Sequence, residues 1–385
     1  MAVAIIVFGV AVTGTQSAQA QTYNVLYSFT GGADGAYPYA PLVLDETGNL
    51  YGTTEYGGTY QQGAVFKLDS SGTETVLHSF KVSGTGDGQY PFAGLMLDEA
   101  GNLYGTTQFG GTFGKGTVFK VDTSGKETVL YSFTGGADGA NPRAGLVQDG
   151  RGNLYSTTYN GGSGSCVVGC GIVFKLDVIR NEEKVLYTFT GGADGSNPSG
   201  VILDKAGNLY GTTLNYGSSG YGTVFKLSKS GKETVLYSFT GGTDGSYPYA
   251  DLVLDERGNL YGTTQGGIGG NVFKLGRSGK LTVLHSFTGS GDGAQPFAGL
   301  ALDEAGNLYG TTYWGGVSNA GTIFKVDANG GESVLHSFTG GTDGAFPYAG
   351  LVQDAVGNLF GTTIYGGGAS PGGASGFGTV FKLTP

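Results

Sequence analysis

The feature that most constrains this chain is repetition. A segment reading Gly-Asn-Leu-Tyr-Gly-Thr-Thr, or a near copy, places its asparagine at Asn49, Asn102, Asn153, Asn208, Asn259, Asn307 and Asn358, at spacings of 53, 51, 55, 51, 48 and 51 residues. Three other stations keep the same rhythm: the types first seen at Val25 to Phe29, Leu42 to Asp45 and Val65 to Leu68. A unit of about fifty residues cannot bury its apolar face alone, so it must stack on its neighbours.

Each station is rich in Val, Leu, Tyr, Phe or Thr and is bounded by Gly, Asp, Asn or Ser, the pattern of a strand between turns. The 78 glycines among 385 residues stand beside 24 tyrosines and 22 phenylalanines, which fits short strands and tight turns and excludes disorder. Four strands per repeat, seven times over, predict an all-β, seven-bladed β-propeller with four-stranded antiparallel blades. Asp45 to Asn49 and Asp69 to Gly72 read as hairpin turns, whereas the other two links of each repeat are longer and variable. The chain opens on an outermost strand, Tyr23 to Phe29, and ends on a third strand, Thr379 to Leu383. The two ends should complete one blade, closing the ring and removing an exposed edge.

These repeats resemble the GloVer tandem repeat of bacterial secreted and surface proteins, named for Gloeobacter and Verrucomicrobia, over about residues 23 to 385. Members of that family often carry a carboxy-terminal sorting anchor. This sequence reads Phe381-Lys-Leu-Thr-Pro385 there, so release or periplasmic residence is expected rather than surface attachment.

Residues 1–20 stand apart: an apolar run from Ala2 to Val12 leads to Ala18-Gln19-Ala20, a signal-peptide cleavage pattern without the usual positive n-region. The remainder, 21–385, reads as one propeller domain, a secreted or periplasmic monomer. Cys166 and Cys170, in an insertion peculiar to one repeat, suit a small loop disulfide in an oxidising compartment. A net charge of −10 and the lack of a basic cluster argue against nucleic acid. Lys67 and its six counterparts recur inside a strand, where their stems cover apolar surface.

The two longer links of every repeat should emerge on one face, where function is expected. The first carries Asp34, Asp87, Asp138, Asp194, Asp244, Asp292 and Asp343 in Asp-Gly turns. Seven carboxylates could ring calcium, but the recurrence favours a turn-forming role and no cofactor is required. The second link varies, and supplies candidate ligand-binding residues Tyr56, Phe109, Tyr159, Tyr216, Tyr313, Trp314 and Tyr365. Rings beside Asn, Gln and Asp suit carbohydrate, whose C–H faces stack while its hydroxyls take hydrogen bonds.

Catalytic constellations are scarce. His78, His285 and His336 all replace the tyrosine of the outer strand, far from the tunnel and from one another, so a histidine metal site or triad is not expected. The residue four before the aspartate that ends each inner strand is Pro41, Gly94, Gly145, Gly200, Asp251, Gly299 or Gly350. Asp251 alone is charged. It joins Glu55 and Arg143, two other departures from the repeat, as a catalytic candidate. The expected function is a binding or scaffold propeller recognising carbohydrate, with a polysaccharide hydrolase or lyase and a purely structural surface protein as alternatives.

Overall fold

The computed structural model describes residues 21–82, 84–368 and 376–384; the signal-peptide reading of residues 1–20 lies outside them. Seven four-stranded antiparallel sheets make a seven-bladed propeller, with no helix among the described residues. Blade 1 runs outward through Val43–Leu44, Leu50–Thr54, Ala64–Leu68 and Glu74–Ser79, and blades 2 to 6 follow the same order.

Blade 7 is composite. Its inner strands Val352–Gln353, Leu359–Thr363 and Thr379–Thr384 are completed by Thr22–Ser28, which pairs antiparallel from Thr22 opposite Thr384 to Ser28 opposite Thr379. The closure expected from the two chain ends is therefore present.

Repetition is written into the packing between blades. The phenylalanine after each outer strand meets the buried phenylalanine on the third strand of the next blade: Phe80 on Phe119 at 5.1 Å, Phe239 on Phe273 at 5.3 Å, and across the closure Phe29 on Phe66 at 5.1 Å. These edge-to-face pairs lie in the apolar clusters between neighbouring sheets. Gly52 makes room for one of them, since a Cβ there would stand 2.6 Å from the Phe66 ring. Lys67 lays its ammonium 5.8 Å from the Tyr51 ring, and each blade repeats that contact, with Phe360 as the partner of Lys382.

Inner strands are shorter than the Leu42 to Asp45 station suggests, with two paired residues in six blades. Around the axis, the residues before each strand turn away to meet their neighbours instead of the adjacent strand. Blade 4 differs: it lacks one residue between Asn197 and Gly200, and its inner strand Ser196–Leu203 keeps pairing outward through a bulge.

The hairpins use an aspartate as hub. Asp45 accepts hydrogen bonds from the Thr47 and Asn49 amides (both 2.9 Å), the Asn49 side chain (2.7 Å) and the Tyr51 hydroxyl (3.1 Å). Burial opposes its ionisation, but these donors win and draw its pKa down to about 2. Cys166 and Cys170 are disulfide-bonded, fastening the long loop of blade 3.

Candidate functional site

Both long links do share a face. Short bridges join them in each blade, such as Ala36 with Tyr56, Ala294 with Trp314 and Ala345 with Tyr365, and Gly88–Gln89 pairs with Phe109–Gly110. The face has three tiers around the axis.

The lowest is the collar Pro41, Gly94, Gly145, Gly200, Asp251, Gly299 and Gly350, which narrows the tunnel. It leaves little room for side chains: a Cβ on Gly94 would lie 2.8 Å from Pro41, and one on Gly350 3.1 Å from the Gly299 carbonyl. Asp251 fits by crossing to blade 4, where its carboxylate covers the Cα of Gly200 and takes a bond from the Gly200 amide. Asp251 is exposed to the tunnel lumen, with its carboxylate packed down against the blade 4 backbone. Burial of the carboxylate in that packing holds its pKa above the carboxylate range, against the Gly200 bond.

Rings fill the middle tier. Tyr348 touches Tyr39 (5.3 Å), Phe92 (5.8 Å), Tyr249 (5.9 Å), Phe297 (4.9 Å) and Tyr313 (6.2 Å), roofing the blade 5 to blade 2 side of the mouth. Blades 3 and 4 break this roof, because Arg143 replaces the ring in one and the deleted residue leaves none in the other. The gap opens a cavity of about 330 Å³ lined by Arg143, Tyr159, Ser199, Leu214, Tyr249 and Asp251.

Arg143 is held rigidly there. Its guanidinium lies 4.4 Å from the Tyr159 ring centroid, and the Gln108 carboxamide oxygen accepts from its Nη2 (2.6 Å) and Nε (3.1 Å) when the amide is oriented to suit these donors. Burial raises Glu55 to a pKa of about 7, which the charge of Arg143 partly offsets. Glu55 flanks the cavity without lining it, while Asp251 is inside, so these two carboxylates occupy different tiers. Gln108, buried and unremarkable in the sequence, was legible only as the counterpart of Glu55 one repeat on.

The outermost tier is an aromatic arc. Trp314 contacts Phe346 (4.7 Å), Phe346 contacts Tyr365 (5.9 Å), Tyr365 contacts Tyr37 (5.2 Å), Tyr37 contacts Tyr56 (6.0 Å), Tyr56 contacts Tyr90 (5.1 Å) and Tyr90 contacts Phe109 (6.1 Å). This chain of rings spans blades 6, 7, 1 and 2. Trp314, Tyr56 and Phe109 are 37%, 43% and 40% exposed. Blades 3 to 5 place Asn160, Asn215 and Gly266 at the register of Trp314, and Tyr216 stands exposed but apart from the arc. Three arc members, Tyr37, Tyr90 and Phe346, have φ of 56°, 55° and 55°, left-handed backbone that the frame imposes in every blade and that Asn141, Asn197, Tyr247 and Gln295 occupy in blades 3 to 6. Such a conformation costs an aromatic residue about 1–2 kcal/mol.

The seven link aspartates do not converge on the axis. Asp34 takes bonds from the Tyr27 hydroxyl (3.0 Å), the Thr30 amide (2.7 Å) and the Thr30 hydroxyl (2.6 Å), all beside the outer strand of its own junction. Asp138, Asp194 and Asp244 repeat this arrangement. At Asp87, Asp292 and Asp343 the tyrosine is His78, His285 or His336, at 3.3, 3.5 and 3.4 Å. A larger cleft of about 780 Å³ lies on the opposite, hairpin face between blades 3 and 4. Its acids Asp149 and Asp204 are spent on Asn153 and Asn208, so the tunnel mouth is the better candidate.

With that geometry in place, the comparisons are decisive for family and fold. The model of the Gloeobacter/Verrucomicrobia repeat matches residues 8–168 and 163–372. The chain belongs to this repeat family. No curated protein matches it. Among solved structures it is similar to virginiamycin B lyase from Staphylococcus aureus, at 13% identity and a TM-score of 0.63, covering 95% of this chain and 99% of that one. It is similar also to the extracellular domain assigned to a one-component system of B. thetaiotaomicron, at 13% identity and a TM-score of 0.59, covering 93% of this chain and 39% of that one. A chain assigned as a 6-phosphogluconolactonase from Bacteroides uniformis gives 18% identity and a TM-score of 0.52 over 78% of this chain and 84% of that one. At these identities the repeat protein shares their propeller fold, and the fold hosts both binding and enzymatic roles.

Proposed function

We propose that this repeat protein is a secreted or periplasmic binding propeller that lays a carbohydrate along the aromatic arc of its loop-rich face. The observation that carries this reading is the continuous run of rings from Trp314 to Phe109, confined to blades 6, 7, 1 and 2. Seven identical frames would give seven identical surfaces, yet at the register of Trp314 four adjacent blades keep rings where the other three place Asn160, Asn215 and Gly266. An extended arc with exposed π-faces suits a glycan chain better than one small molecule. Glycan-array screening followed by titration of any hit against Trp314→Ala and Tyr56→Ala tests it. An array without hits, or hits that both variants bind unchanged, would reject it.

A second reading has its own support: the cavity beside Arg143. Glu55 with a pKa raised to about 7 and Asp251 with its pKa raised by burial are the type of groups that do acid–base work, and virginiamycin B lyase is a similar propeller that bears the name of a lyase. Incubating bound glycan with the wild type and with Glu55→Gln, and following its chain length, separates binding from cleavage.

A further inference from the structure

The junction between blades 1 and 2 departs from its counterparts in a way the aromatic face does not explain. At most junctions the link aspartate receives two hydroxyl protons, one from an outer-strand tyrosine and one from a threonine, as Asp34 does from Tyr27 and Thr30. At Asp87 both donors have been replaced. His78 takes the place of the tyrosine and Lys81 that of the threonine. Among the described residues Asp87 keeps the His78 Nε2 contact on Oδ2 (3.3 Å), the Lys81 amide on Oδ2 (3.1 Å) and the Gly88 amide on Oδ1 (2.7 Å).

A third group closes on this aspartate from the next blade. Glu127 begins the outer strand Glu127–Ser132 of blade 2, and its carboxylate, the Asp87 carboxylate and a His78 ring nitrogen all lie within 4.8 Å of one another. The Glu127 Oε1 atom is buried and has no hydrogen-bond partner. Two adjacent, largely buried carboxylates repel unless a proton or a cation joins them; Glu74, Glu183, Glu233 and Glu332 leave the same atom unpartnered, and what sets this junction apart is that a histidine nitrogen and both carboxylates come together there, a grouping found nowhere else among the described residues. Lys81 is exposed and its charge reaches Glu127 only through space, with no ion pair between them among the described residues.

The geometry points to a divalent-cation site at His78, Asp87 and Glu127, fitted to Zn²⁺, that staples the outer strands of blades 1 and 2. One imidazole and two carboxylates are a common zinc donor set, leaving a fourth position for water. Ligands at about 2.0–2.1 Å in a tetrahedron stand about 3.3 Å apart, and His78 Nε2 is 3.3 Å from Asp87 Oδ2. The other residues of the repeat show why the site is specific. At the junction of blades 5 and 6 Glu332 feels the charge of Asp292, but it does not cluster with His285 and Asp292 as Glu127 does with its pair, and Asp292 keeps the hydroxyl bond from Thr288 (2.5 Å). At the closure, Tyr23 stands where Glu127 does and stacks on His336 at 3.9 Å, so no second carboxylate is present.

Chelator-stripped protein titrated with Zn²⁺ by calorimetry, with Mg²⁺ and Ca²⁺ in parallel, tests the assignment. One Zn²⁺ per chain should bind and raise the melting temperature. His78→Tyr restores the residue used by Tyr131 and Tyr187 at this station, so it should fold, and its Zn²⁺ affinity should fall at least about a hundredfold. Glu127→Gln should weaken Zn²⁺ in the same direction, while His285→Tyr should leave it unchanged. Failure of the folded wild type to take Zn²⁺ at micromolar concentration would overturn the site. So would equal binding by His78→Tyr, or a loss seen only in His285→Tyr.

Discussion

Deleting residues 21–30 should open the ring, and the structure sets the size of the effect. The segment supplies the whole outer strand of blade 7, and with it three rings of the interblade seams, of which Tyr23 and Phe29 make the closest core contacts. Tyr23 stacks on His336, meets Phe338 and Phe381 at 5.8 and 5.5 Å, and donates its hydroxyl to the Asp343 carbonyl at 2.6 Å. Phe29 is 4% exposed and packs on Phe66. Truncating one buried aromatic costs about 3–5 kcal/mol, so the pair amounts to about 6–10 kcal/mol before any strand hydrogen bond is counted. A domain stability of about 5–15 kcal/mol leaves little after that loss. The truncated chain should therefore melt far below the full one or associate through the bare edge of Thr379–Thr384. Circular dichroism melting with size-exclusion chromatography reads both outcomes, and a synthetic peptide of residues 21–30 added in trans should recover part of the transition. An unchanged melting curve for a monomeric truncated chain would show that the amino-terminal strand does not close the ring.

Three other outcomes follow from side-chain environments. Burial, reinforced by Asp34, Asp138 and Asp194, raises Glu74, Glu183 and Glu233 to about pH 7. Their folded pKa exceeds the ordinary value of 4.5, so the stability they favour is present below about 4.5 and is lost as pH rises through 7; thermal melts from pH 4.5 to 8 should fall, and Glu74→Gln should flatten part of the decline. The hairpin aspartates act oppositely: Asp45, with a pKa of about 2, gives stability above the ordinary 3.8 that is lost on further acidification, so melts should turn down again below pH 4. Asp251→Gly should keep or slightly raise the melting temperature, because glycine is the collar's usual residue, while abolishing any cleavage that uses this acid; retained cleavage would make Asp251 a bystander. For Trp314→Ala, glycan affinity should weaken by about 1–2 kcal/mol without the stability loss of about 3–5 kcal/mol expected of a core tryptophan.

The frame was legible in the sequence because every blade solves one packing problem with the same residues. Asn49 and its counterparts bond to the preceding aspartate, Phe66 and its counterparts fill the interblade seam, and a sevenfold period makes such roles readable without coordinates. Register on the loop-rich face was harder. Tyr313 and Trp314 are neighbours in sequence, yet Tyr313 turns in to the roof around Tyr348 while Trp314 joins the outer arc. Tyr159 likewise faces Arg143 in the cavity, whereas Tyr56, Phe109 and Tyr365 belong to the arc. A strand's two-residue alternation carries into the link only through bridges such as Ala36 with Tyr56, and those depend on the partner loop.

The histidines teach the complementary lesson. Read one at a time they are conservative replacements of an outer-strand tyrosine, distant from the tunnel and from one another, and each does sit beside its own aspartate. What distinguishes them is their cross-blade company, which lies about fifty residues on in sequence: Glu127 for His78, Glu332 for His285 and, through ring closure, Tyr23 for His336. In a repeat protein, a single substitution changes a junction shared by two units, so its chemistry belongs to the pair. Departures from the repeat should thus be compared across each seam. By that rule Arg143 is paired with Gln108, the preceding blade's counterpart of Glu55, and an Arg143→Tyr change that restores the majority ring should close the cavity while leaving the aromatic arc and its glycan binding intact. If that variant lost binding at the arc as well, the roof and the arc would have to be one site.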